Sequence, residues 1–336
     1  MSELRQGKRT ILFPNRPVIS GWASVVGKKE GEGPLGREFD QVEQDSRFGC
    51  ASWEQAETKF QKSALNLALK RADLTKQELD AVFSGDLLNQ CAASNFAMRG
   101  VQVPVLGLYG ACSTMAEALL LAGCAVNAGY GGSCAAVSSS HFAAAERQYR
   151  FPLAYGGQRT PTAQWTVTGA GATVIRSKGS GPAMIGATLG TVQDKGITDA
   201  NNMGAAMAWA AYDTIRAHFS ESGLGPEDYD LIVTGDLGKL GKELVTEFFS
   251  RDGVKLTERY EDCGVLIFDP STQDVHCGGS GAGCSAAVLA AHLLPGLEHK
   301  RWKRLLFCGT GALLSPTTVQ QKQSIPAVCH AVALEA

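Results

Sequence analysis

Gly107-Leu108-Tyr109-Gly110-Ala111-Cys112-Ser113-Thr114-Met115 runs directly into the apolar stretch Ala116 to Ala128. Small residues between a short strand and a long apolar helix permit a sharp corner, and that corner leaves Cys112 in the first turn of a buried helix. Unpaired backbone N–H groups and the positive end of the helix dipole gather there. A thiolate at Cys112, or an anion bound beside it, is therefore expected to be stabilised. The plainer reading is a structural cysteine packed as a small apolar side chain, one of ten in the chain.

The corner has a counterpart. Gly281-Ala282-Gly283-Cys284-Ser285 opens a second apolar helix as Gly110–Ser113 opens the first, and the two helices lead to the strands Ser133–Ser138 and Arg304–Gly309. Upstream, Asp80-Ala-Val-Phe-Ser-Gly-Asp86-Leu87 is echoed by Asp230-Leu-Ile-Val-Thr-Gly-Asp236-Leu237. The two signatures recur at offsets of 150 and 172 positions, an internal repeat with 22 extra residues in its second copy. Asp269-Pro270-Ser271 reads as a hairpin turn and places that extra chain around Arg259–His276. Two related halves are expected, residues 1–177 and 178–336. Strands alternating with helical patterns predict parallel sheets faced by helices.

Trp53 to Ala72 carries Ala56, Phe60, Ala64, Leu67 and Ala68 at helical spacing, and helices are also predicted over Ala205–Phe219 and Lys242–Phe249. Val18–Val26, Val167–Ile175 and Ala183–Val192 read as strands. Glu146-Arg147-Gln148-Tyr149-Arg150 reads as an arginine-rich loop, followed by a second loop over Tyr155–Ala163.

A chain of 336 residues buries roughly three quarters of its unfolded surface. Net charge is −2, with neither the basic footprint of a nucleic-acid binder nor an acidic tail. Ten cysteines with no C-x-x-C pair and no secretory signal read as reduced thiols, and a zinc site is not expected. Met115–Tyr130 and Ala282–Leu297 are the most apolar stretches, and both fall short of a membrane span.

Two βαβ-type halves, the cysteine opening the first central helix, Val167-Thr-Gly-Ala-Gly-Ala-Thr-Val174 and Cys308-Gly309-Thr310-Gly311 together resemble the thiolase and ketoacyl-synthase superfamily. That resemblance implies a five-layered α-β-α-β-α fold, usually dimeric. A narrower likeness covers nearly the whole chain. Gly85-Asp86-Leu87-Leu88-Asn89-Gln90, Glu146-Arg-Gln-Tyr-Arg-Phe-Pro152, Tyr155-Gly-Gly-Gln158, Gly196-Ile-Thr-Asp199, Met203-Gly-Ala-Ala-Met207 and Gly309-Thr-Gly-Ala-Leu-Leu-Ser-Pro316 resemble the stage V sporulation protein AD family of endospore-forming bacteria. The likeness implies a non-enzymatic role: binding dipicolinic acid (pyridine-2,6-dicarboxylic acid), free or as its calcium complex, within a spore membrane apparatus that moves it into the developing spore. It further implies a homodimer, peripheral on the spore inner membrane among other transport-complex proteins, with no cofactor.

Condensing enzymes need His or Asn groups beside the nucleophile for the carbanion step. Where synthases of the superfamily place His, this chain reads Val233-Thr234-Gly235-Asp236-Leu237, and where they place Asn, or thiolases His, it reads Ala282-Gly283-Cys284-Ser285. Cys308 matches the second thiolase cysteine and keeps acyl transfer through Cys112 as the alternative; a scaffold retained for docking is a third reading. For a flat dianion, the two helix starts at Cys112-Ser113-Thr114 and Cys284-Ser285 are candidate donors for its two carboxylates. Arg147 and Arg150 are candidate bidentate contacts, and His141 is a switchable one. Asp86 and Asp236 read as helix caps, with calcium ligation as the alternative. Trp165 and Tyr155 are candidates to stack on the ring.

Overall fold

Ten principal strands carry the fold, and their order repeats. The first half supplies β1 (Val18–Gly27), β2 (Ala81–Gly85), β3 (Val105–Leu108), β4 (Ser133–Ser140) and β5 (Gly169–Arg176). The second supplies β6 (Ala183–Thr188), β7 (Leu231–Thr234), β8 (Tyr260–Asp262), β9 (Arg304–Ala312) and β10 (Ala327–Glu335). In this computed structural model, which describes residues 4–149 and 159–336, they are ordered β8-β7-β9-β10-β6-β1-β5-β4-β2-β3. From the centre outward each half therefore runs first, fifth, fourth, second, third. The halves meet where Ala183 of β6 pairs with Val18 of β1.

The layers follow from which faces are apolar. The helices that fix them are α1 (Trp53–Arg71), α2 (Ala92–Met98), α3 (Thr114–Asn127), α4 (Phe142–Tyr149), α5 (Met203–Ser222), α6 (Gly238–Arg251) and α7 (Ala282–Val288). Helix α3 packs on β2 and β4 of one half and on β9 and β10 of the other, while α7 packs on β1, β4 and β5. Between the halves, Met115, Leu119, Val288 and Leu289 meet the inner strand residues Phe83, Ala136, Phe307 and Val332. On the outer face of the first half, Phe60, Ala64 and Ala68 of α1 cover Ala135, Val137 and Ala172. On the second, Ala210 and Ile215 of α5 and Phe248 of α6 cover Ile232, Leu306 and Cys329. Neighbours such as Leu306 and Phe307 face opposite layers because strand side chains alternate. The result is the five-layered α-β-α-β-α arrangement. Helix α1 begins where Ser52 accepts the Gln55 N–H.

Three local expectations are corrected. The sheets are mixed: β2 pairs in parallel with β3 and β4, but β5 and its counterpart β10 run antiparallel to both neighbours. Arg259–His276 contains β8, parallel to β7, and the short helix Cys263–Leu266 rather than a strand hairpin, although Asp269 does form a turn, accepting the Ser271 N–H. The arginine-rich segment is helical as far as Tyr149, because the preceding Phe142-Ala-Ala-Ala-Glu146 run favours a helix and buries Ala143–Glu146. No helix among the described residues is long and apolar enough to cross a membrane.

Candidate functional site

Strand β3 delivers the chain to a left-handed residue, Ala111 (φ 53°), followed by a single turn over Ala111–Ser113 and then α3. A non-glycine residue there costs of the order of 1 kcal/mol or more. The turn is tied by its own hydroxyls: Ser113 Oγ donates to the Gly110 carbonyl and Thr114 Oγ1 to that of Ala111, each at 2.7 Å. Both side chains are buried. The corner is also braced from the other half, since a Cβ on Gly311 of β9 would lie 2.4 Å from the Gly110 oxygen.

The two aspartates of the repeat part company here. Asp86, after β2, accepts the Leu88 N–H and both the N–H and the hydroxyl of Ser94 at the start of α2. Burial holds its carboxyl above the ordinary range, and burial together with Asp86 does the same to neighbouring Glu57. Asp236, after β7, does not cap its own helix. The Leu237 and Gly238 N–H groups are taken by Asp262 of β8, each at 2.9 Å. Asp236 turns instead toward the corner, accepting from Gly281 N–H (2.8 Å), Thr310 Oγ1 (3.0 Å) and Ser280 Oγ (3.2 Å), with the Cys112 thiol close by. Burial pushes its carboxyl up to about 6 against the pull of these donors.

Burial first, and the Asp236 charge second, push the Cys112 thiol well above its ordinary range. The expectation of a stabilised thiolate is thus corrected: complete burial beside a carboxylate outweighs the helix end. We expect Cys112 to react with iodoacetamide at about pH 8 more than tenfold slower than an exposed cysteine. Peptide mapping of the alkylated protein checks this, and early, stoichiometric labelling of Cys112 would refute it.

Above the Cys112 side chain lies a cavity of about 240 Å³. Ala145, Glu146 and Tyr149 of α4 form one wall, with Leu87, Tyr109, Thr166, Ser280, Met203 and Ala312–Ser315 around the rest. The Tyr109 and Tyr149 hydroxyls meet at 2.7 Å, Tyr149 also donates to the Leu87 carbonyl, and Thr166 Oγ1 donates to Glu146 at 3.0 Å. Among the described lining residues there is no Lys, Arg, His or Asn.

Of the candidate residues, Cys112 reaches the cavity, and Asp236 stands behind it through Ser280. The others lie elsewhere. His141 is buried against Phe60, its Nε2 bonded to the Ser46 carbonyl and its Nδ1 without a partner, and burial lowers its pKa. Arg147 pairs with Glu54 and lies over Trp53. Cys284 packs near Gly279, and the Ser285 hydroxyl is buried without a partner. Trp165 stacks on Phe142 at 3.7 Å, with Lys29 3.8 Å from its ring centre. Cys308 sits in the outer cluster with Cys329, on the far side of β9 from α3. Arg150 and Tyr155 fall outside the described residues. No group of three or more described His, Cys, Asp or Glu side chains is placed to hold a metal ion.

Residues 7–335 match the family Stage V sporulation protein AD. The chain is 42% identical over 329 residues to the Stage V sporulation protein AD of Bacillus subtilis (strain 168), covering 98% of this chain and 97% of that one. The chain belongs to the stage V sporulation protein AD family. Solved structures place this family member among thiolase-like condensing-enzyme folds. One is 3-oxoacyl-[acyl-carrier-protein] synthase III from Aquifex aeolicus VF5, with TM-score 0.58, 12% identity, and coverage of 95% of this chain and 100% of that one. Another is cerulenin-bound OleA of Xanthomonas campestris, with TM-score 0.61, 14% identity, and coverage of 97% and 100%. At such identities the likeness is one of fold.

Proposed function

We propose that this sporulation protein binds dipicolinic acid, free or as its calcium complex, without chemistry on it. It would serve at the spore inner membrane as a peripheral member of the transport apparatus that loads the developing spore. The observation that carries this reading is the Cys112–Asp236 pair. It supports a site with the enclosure of a small-molecule pocket but a protonated thiol and, among its described lining, no imidazole or amide to stabilise an enolate.

The cavity suits a planar ligand on the order of a dozen non-hydrogen atoms, at the small end for binding sites. Leu87, Ala145, Met203 and Leu314 offer apolar cover for a ring, and Tyr109, Tyr149 and Ser280 offer hydroxyls that would turn from the Leu87 carbonyl and Asp236 to carboxylate oxygens. A calcium ion would arrive already held by the pyridine nitrogen and carboxylates of the ligand. Arg147 and Arg150 remain candidate cations for the ligand carboxylates, Arg147 only after release from Glu54. The homodimer implied by the family likeness would use the outer edge of β3, whose Val105 and Leu106 are exposed.

The second reading, acyl transfer through Cys112, is favoured by the thiol at the cavity floor. Calorimetry with dipicolinate and with calcium dipicolinate, run beside a thioester-consumption assay, separates the two. We expect saturable binding, retained in Cys112→Ala and weakened roughly ten- to a hundredfold in Tyr149→Phe, the loss of one hydrogen bond to a charged group. Thioester consumption that disappears in Cys112→Ala would establish the enzyme instead. Absence of saturable binding to either form would overturn the proposal.

A further inference from the structure

We propose that Asp236 makes ligand binding proton-linked: an anionic ligand seated against Cys112 and Ser280 drives one proton onto the Asp236 carboxyl, and the site loses that ligand as the proton is withdrawn. The inference rests on the reading of the cavity as a dicarboxylate site and adds the device that sets when it holds its ligand.

Geometry puts the carboxyl in position. Ser280 and Cys112 both line the cavity; the Ser280 Oγ lies 3.2 Å from Asp236 Oδ2, and the Cys112 thiol is close enough to Asp236 for each to shift the other. A carboxylate resting on either group is therefore only a few ångströms from Asp236, and with Asp236, Ser280 and Cys112 all buried the repulsion is weakly screened. What faces Asp236 offers no charge relief. The corner presents the Cys112 thiol, β9 presents Thr310, the turn before α7 presents Ser280 and the Gly281 N–H, and α7 presents the Cys284 thiol. From β8 and the residue after it come the Asp262 carboxyl and the Cys263 thiol, and across the cavity stands Glu146. No described cation is among the groups that bear most on Asp236. A second negative charge is thus accommodated most readily by neutralising the first.

The Asp236 carboxyl already sits near the required balance, at about 6. A bound anion raises it further, so between about pH 6 and pH 8 the complex holds a proton that the free protein has lost. Linkage then requires affinity to fall by about tenfold per pH unit. The calcium chelate of the same ligand is neutral and should draw little or no proton.

The test is calorimetry with calcium-free dipicolinate at about pH 7.5 in buffers of different ionisation enthalpy, which counts protons directly. We expect uptake approaching one proton in the unaltered protein, near zero in Asp236→Asn, and near zero with calcium dipicolinate. Thr310→Val removes a hydroxyl donor from the carboxylate and should shift the onset of the affinity loss to higher pH; it also serves if Asp236→Asn folds poorly. Binding without proton uptake, or uptake unchanged in Asp236→Asn, overturns this inference and leaves the dicarboxylate reading standing. Absence of binding at every pH overturns both.

Discussion

Replacing Gly171 by Val is expected to leave little or no soluble folded protein. Gly171 lies in β5 beneath α7, and a Cβ there would come within 2.1 Å of the Ala286 carbonyl oxygen and 2.3 Å of its carbon. From the helix side, a Cβ on Gly283 would lie 2.4 Å from the Gly169 oxygen and 2.8 Å from the Ser140 N. Helix and strand thus touch backbone to backbone, with no flexible side chain to give way. The penalty is overpacking without relief, about 3 kcal/mol or more even if α7 shifts. A shift would carry Ser280 and Gly281 with it, and with them two of the donors to Asp236. The milder Gly171→Ala, if it folds, should therefore weaken ligand binding as well as stability. Thermal unfolding followed by circular dichroism measures the first effect and calorimetry the second. Gly132→Ala, whose Cβ meets nothing nearer than 3.9 Å, is the control and should change stability by less than about 0.5 kcal/mol. Gly171→Val melting like the parent chain would refute the close approach.

The same glycine contacts show why some of this architecture was legible in the sequence and some was not. The repeat of Asp80–Leu87 in Asp230–Leu237 made strands β2 and β7 legible because a short, largely apolar run ending in Gly-Asp constrains both burial and exit. Helix α1 was legible from Ala56, Phe60, Ala64 and Ala68, which put one face on the sheet. Strand β8 was not, because Tyr260-Glu261-Asp262 is too short and polar to show a period. It is a strand by virtue of its pairing with β7 and of the Asp262 contacts, which are long-range. Glu146–Arg150 reads as a loop from its two arginines, although Ala145, Glu146 and Tyr149 share the spacing of one helical face and line the cavity. Most telling is Asp236. Alone it reads as a cap, like Asp86; only the arrival of Asp262 at the Leu237 and Gly238 N–H groups frees it to meet Cys112. A sequence records which groups can bond, while the competition among them is settled by the fold.

That competition leaves an unusual number of carboxyls buried at a cost, and it predicts how stability responds to pH. Glu30 is pushed up to about 7 by burial, with the Thr168 N–H pulling the other way; Asp262 stands at about 7 and Asp236 at about 6, again through burial. Each is raised above its unfolded value, so the folded state binds protons more tightly than the unfolded chain. Their contribution is most favourable at low pH and is lost as pH rises toward and through about 6 to 7. Groups shifted the other way, such as Glu221 bonded by the Lys8, Arg9 and Thr10 N–H groups and Glu335 bonded by Arg16 and Arg304, lose their contribution at acid pH, as they protonate, and His218 and His330, each pushed down to about 4 by burial, add stability as pH rises toward about 6.5. Stability should therefore be highest over about pH 5 to 6, where the two sets largely offset each other, and decline by a few kcal/mol, in order of magnitude, by about pH 8. Melting temperatures across that range test it, with a steady rise from about pH 5 to pH 8 as the contrary result. Glu30→Gln keeps an oxygen acceptor for the Thr168 N–H while removing the charge, so it should flatten the decline and leave the acid limb unchanged. Asp262→Ala separates charge from bonding: it removes the charge but strands the Leu237, Gly238 and Val265 N–H groups, and it should destabilise the protein at every pH.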